Sequence, residues 1–129
     1  MTRTRLITLI LGTHLAAQTA TIMTFVGFPS RRSVNKIGTN DTAILEEKES
    51  KEYLCMISLK SGKYYWSSRD NKEMTKHISG AFVIFAADDG SGYVKLLVQP
   101  KGLPLDYMEH LHDKLFTVTY WGKSSTYRE

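Results

Sequence analysis

From Glu52 onward, apolar and polar residues alternate with period two in short runs, each ending at a glycine or a polar cluster able to turn the chain. That pattern restricts the fold to one built around a sheet. "EYLCMISL" and "KYYWSS" are joined through "KSGK", where Gly62 can supply the positive φ of a tight hairpin. "ISGAFVIFAA" is apolar on both alternating faces, as in a strand covered from both sides. It is followed by "DDGSG" and "GYVKLLV", in which Val94, Leu96 and Val98 face one way and Tyr93, Lys95, Leu97 and Gln99 the other. "FTVTYWG" repeats the alternation, with Phe116, Val118 and Tyr120 toward a core and Thr117, Thr119 and Trp121 outward. The polar stretch "RDNKEMTKH" reads as a loop.

One segment has a different period. In "LDYMEHLHDKL", Leu105, Met108, Leu111 and Leu115 recur at spacings of 3, 3 and 4, which predicts an amphipathic helix with Pro104 near its first turn. The expected fold is therefore α+β: a small, mostly antiparallel sheet in the order β-β-β-β-α-β, with one amphipathic helix packed on a face. This domain is expected over residues 52–122, with 123–129 as a C-terminal tail.

The carboxylates of "AADDGSGYVKLL" invite a ligand, but the spacing points to a turn. A calcium loop needs oxygen ligands at alternate positions after Asp88, and the next two such positions are glycines. A phosphate loop needs a helix after its glycines, whereas "YVKLLVQ" is strand-like. Asp-Gly and Ser-Gly supply turn chemistry instead.

Residues 1–40 contain no Asp or Glu, and their charges, Arg3, Arg5, Arg31, Arg32 and Lys36, are all basic. "MTRTR" followed by "LITLILGTHLAA" has the shape of a secretory signal peptide. An uncleaved anchor is the rival, because Leu6 to Phe28 carries no formal charge, although His14, Gln18 and several threonines dilute it. An Arg-rich, acid-poor organellar presequence is a third reading. Residues 1–22 are thus expected as signal peptide or membrane anchor and 23–51 as a tether. The domain would be exported, periplasmic or extracellular, or held at a membrane by its N-terminal segment. Asn40-Asp41-Thr42 fits an N-glycosylation acceptor, a pattern short enough to arise by chance.

The net charge of +4 falls to 15 basic against 13 acidic side chains once Arg3 and Arg5 are set aside, too weak a field to argue nucleic-acid binding. The single cysteine, Cys55, can form neither an intramolecular disulfide nor a Cys-based zinc site and reads as a small buried apolar residue. No cofactor and no metal is expected.

Two constellations can carry function. Glu109, His110 and His112 bring carboxylate and imidazole together at helical spacing, suited to acid–base work or a shared ion; on a strand, His110 and His112 would instead share one face. Lys63, Tyr65, Arg69 and Trp121 combine cationic and aromatic side chains suited to an interface. The expected function is a binding or interaction module whose partner is a protein or envelope component, with membrane contact only through the N-terminal segment. A metal-dependent or acid–base enzyme built on Glu109, His110 and His112 is the alternative, and a structural component of an envelope complex a third.

Overall fold

The computed structural model describes residues 20–129, and it is nearly all β, which corrects the expected α+β fold. The strands are β1 (Thr21–Lys36), β2 (Thr39–Ile44), β3 (Cys55–Lys60), β4 (Lys63–Trp66), β5 (Lys72–Ser79), β6 (Phe82–Ala87), β7 (Gly92–Leu97), β8 (Leu105–His112) and β9 (Phe116–Tyr127). One short helix, α1 (Glu47–Glu52), lies between β2 and β3. β1 and β3 to β9 make an antiparallel meander of eight strands, which closes into a barrel because β9 pairs along β1 from Phe25↔Tyr127 to Lys36↔Phe116. Closure of this kind removes exposed strand edges from the barrel wall.

β1 is long because it serves two neighbours on one side. Thr21–Gly27 pairs with β3 and Arg31–Lys36 pairs with β2, so β2 and β3 share a lane that α1 links. Glu46 and Glu49 form a capping box at the start of α1. No residue of α1 is buried, so it is not the sheet-covering helix expected. Much of the expected tether is thus barrel wall, and Phe25 within it is fully buried. The end of the uncharged run, Thr21–Phe28, is strand rather than a membrane helix. The remainder of the expected leader, residues 1–19, lies outside the described residues. Among the described residues no helix is long and apolar enough to cross a membrane.

The predicted helix over 105–115 is β8 and the turn after it. Leu105, Tyr107, Glu109 and Leu111 point inward at spacing two, opposite Ser124, Gly122, Tyr120 and Val118 of β9. The polar stretch read as a loop contributes β5, whose Met74 is buried. The β3–β4 and β6–β7 hairpins and the alternation along Phe116–Trp121 agree with the sequence pattern. At the "DDGS" turn, Asp89 accepts a bond from the Ser91 N–H at 2.9 Å and pairs with Lys72 at 3.2 Å. These bonds, the serine's first, hold the Asp89 carboxyl down at about 2.

Eight strands enclose a space just wide enough for side chains to fill. Trp66, Phe25, Phe85, Ile57, Leu96 and Val94 fill it, with Phe25 edge-on to Tyr107 and Tyr64 edge-on to Phe85, each at 5.1 Å between ring centroids. The interior is a core, not a lumen. The outer faces carry ion pairs such as Lys63–Glu73 and Lys123–Asp106, the reverse of a lipid-facing barrel.

Candidate functional site

The most demanding residue in this core is Glu109, which points inward from the middle of β8 with 0% of its side chain exposed. A buried carboxylate is tolerated only when its oxygens are matched by donors and its charge is paired. Trp66 Nε1 donates to Oε2 at 2.8 Å, Arg69 Nε donates to the same oxygen at 3.2 Å, and Arg69 Nη2 donates to Oε1 at 2.8 Å. Trp66 arrives by the alternation of β4. Arg69 arrives because the chain turns sharply after β4, with Arg69 N–H bonded to the Trp66 carbonyl and Asp70 and Asn71 at positive φ.

This side-on pairing decides what Arg69 can still do. Nε and Nη2 are spent on Glu109, which leaves Nη1 outside that pair, and the side chain lies toward the upper end of the barrel, where the β1–β2, β6–β7 and β8–β9 turns lie. The Arg69 side chain is 21% exposed there and lines a small groove of about 200 Å³ with Leu111, His112, Asp113, Phe116 and Tyr120. Burial works against the Arg69 charge, but Glu109 more than offsets it and raises its pKa.

A second guanidinium stands nearby. Arg32 of β1 lies directly across the ladder from Tyr120 of β9, so both point inward at the upper mouth. Its guanidinium is 5.2 Å from the Tyr53 ring, the Tyr53 and Tyr120 rings are 5.5 Å apart, and the Arg69 guanidinium is 5.5 Å from the Tyr120 ring. Burial opposes the Arg32 charge, and the phenol oxygens of Tyr53 and Tyr120 outweigh it, lifting its pKa. The Tyr120 hydroxyl is pushed up by burial and pulled back in part by Arg69 and Arg32. Two arginines therefore stand close to one tyrosine. Below them, Cys55 is fully buried as expected, and burial, with Glu109 beside it, pushes its thiol well up.

The expected trio of Glu109, His110 and His112 does not converge. Strand alternation puts Glu109 inside the barrel and both histidines outside, with their rings 4.6 Å apart and His110 Nδ1 2.8 Å from Thr119 Oγ1. Burial, then the neighbouring His112, lowers the His110 pKa. Among the described residues no group of three or more His, Cys, Asp or Glu is placed to hold a metal ion.

The second expected set is dispersed as well. Lys63 pairs with Glu73 on the outer face, and Tyr65 points outward into a groove of about 480 Å³ lined by Ser58, Lys60, Ser61 and Ser67. Trp121 is also outward, under the Arg31 guanidinium at 4.5 Å, but on β9, separated from β4 by β1 and β3. Arg69 points into the mouth. Of the seven candidate residues, the interior cluster brings together Glu109 and Arg69 alone. Arg32, Tyr53 and Tyr120 complete the mouth; the inward phase of Tyr120 was legible in "FTVTYWG", whereas Arg32 sat in a segment that reads as a linker.

No protein-family model matches this chain, and no curated protein or solved structure matches it. Its chemistry therefore rests on the geometry of the mouth.

Proposed function

We propose that this chain is a binding module whose site is the upper mouth of the barrel, and that the ligand is a small anion, phosphate or carboxylate, borne on a planar group. The observation that carries this reading is the closeness of two guanidiniums, Arg32 and Arg69, to Tyr120. Glu109 neutralises Arg69 from below and fixes its orientation, which leaves Nη1 outside that pair to donate to a ligand. Arg32 has no carboxylate partner among the described residues and supplies the net charge. Guanidinium groups match phosphate and carboxylate in pairs of parallel hydrogen bonds, and the Tyr53 and Tyr120 rings offer apolar faces for the planar part.

Titration of isotope-labelled protein with phenyl phosphate, followed by NMR, tests the reading, with phenol as the neutral control. Phenyl phosphate is expected to shift the resonances of Arg32, Tyr53, Arg69 and Tyr120, and phenol to leave them nearly unmoved. Arg32→Gln removes a charge-assisted contact worth about 1.5–3 kcal/mol, so affinity should fall by roughly tenfold or more. Unshifted mouth resonances at millimolar phenyl phosphate, or shifts that survive Arg32→Gln, would contradict it.

A further inference from the structure

The two ends of the barrel differ in charge. At the upper end the turns and adjoining strand ends carry Asp70, Asp88, Asp89 and Asp113 against Lys36, Lys72 and Lys114, with Lys72 paired to Asp89 at 3.2 Å, so charge there nearly cancels. At the lower end, where β1 begins, β9 finishes and the β3–β4, β5–β6 and β7–β8 connections lie, the charges are Lys60, Lys63, Lys76, Lys101 and Arg128. The acids near that end are Glu73, paired with Lys63 at 3.7 Å, Asp106, paired with Lys123 at 2.7 Å, and Glu129. Apolar side chains also project there: Ile78 is 75% exposed on the β5–β6 hairpin, Leu103 is 53% exposed on the β7–β8 loop, and Ile22 stands out from the start of β1. A groove of about 370 Å³ runs between that loop and Tyr127, lined by Val98, Lys101, Leu103 and Leu105.

Exposed apolar tips alone do not choose a partner, since Ile37 and Leu115 are exposed at the upper end too. The charge around them does. Apolar tips set in a surplus of basic side chains fit a surface that is anionic outside and hydrocarbon within, a surplus the upper tips lack because aspartates offset Lys36 and Lys114. The chain direction agrees: residues 1–19 run into β1 at this lower end, and their sequence holds Arg3, Arg5 and the uncharged stretch from Leu6 to Ala17.

We infer that the lower end of the barrel, through Ile78, Leu103, Lys76 and Lys101, docks on an anionic lipid bilayer. The upper mouth then faces away from the membrane and stays open to solvent. The docking is independent of what the mouth binds.

The full-length chain tests this with an environment-sensitive fluorophore on a cysteine introduced by Leu103→Cys at the lower end or Lys114→Cys at the upper end; Cys55 is buried and unreactive in the folded protein. Phosphatidylcholine vesicles with a quarter phosphatidylglycerol are compared with pure phosphatidylcholine. The expected result is a blue shift from position 103 on the anionic vesicles only, and none from position 114. A lysine near an anionic surface strengthens partition on the order of fivefold, so Lys76→Glu with Lys101→Glu should weaken it by about 20-fold or more. No shift at position 103, equal shifts on neutral vesicles, shifts at both ends, or partition indifferent to the charge reversal would each overturn the inference. So would lipid-free self-association that quenches the position-103 probe, which would assign the surface to a second copy of the chain.

Discussion

A carboxylate with none of its surface in water survives only if its partners stay in place, and for Glu109 those partners are Trp66 and Arg69. The two halves of the ion pair are not equivalent. Arg69 retains a route to solvent and Glu109 does not, so removing the arginine is the more damaging change. Arg69→Met should cost about 3–5 kcal/mol, the usual penalty for stranding a buried charge. Adding Glu109→Gln removes that charge while keeping an acceptor for the Trp66 N–H, and should recover about 2 kcal/mol. Urea unfolding of the single and double variants measures both; a double variant no more stable than Arg69→Met would mean that Glu109 is not held as described. Glu109 stood out in the sequence for its company with His110 and His112, yet its real partners lie some forty residues away and no local spacing announces them.

The same residue explains why β8 was illegible. Period-two reading puts Leu105, Tyr107, Glu109 and Leu111 on one face, and a carboxylate in that row looks like a solvated position, so the leucines and Met108 are left to suggest a helix. Only the Arg69 side chain, brought by a different loop, makes the strand phase acceptable. β1 was hidden for another reason. Irregularities near Thr24 and Ser30 each move its inward phase by one residue, and Pro29, which lacks a ladder donor, sits beside the second. A fixed alternation cannot be followed through such shifts. β5 offers just one deeply buried apolar residue, Met74, while the hairpins β3–β4 and β6–β7 carry glycine turns between clean alternations and were readable.

At the level of elements, the β1–β9 seam requires one of the closest backbone approaches in the fold. A Cβ on Gly122 would collide with the Phe28 carbonyl and lie 2.7 Å from Pro29 Cα. Gly122→Ala should therefore cost about 2–3 kcal/mol, as for overpacking in a core, while Ser125→Ala, exposed on the same strand, should stay within about 0.5 kcal/mol. Thermal unfolding of the pair reads the difference, and equal stability would mean that the two strands do not approach as closely as this seam demands.

For the molecule as a whole, an interior filled by side chains and a charged exterior put any recognition on the outside of the wall or at the two ends. Closure depends on β1, which lies wholly in the part of the sequence that reads as leader and tether, so the barrel and the α+β alternative differ most in what β1 and residues 105–115 do. Nuclear Overhauser contacts along residues 105–115 and across to β9 separate them directly. The closed barrel predicts cross-strand contacts for Tyr107 with Gly122 and Leu111 with Val118, together with Val34 against Val118 across the β1–β9 seam. Sequential contacts at helical spacing through 105–115, with no contact between Val34 and Val118, would contradict it.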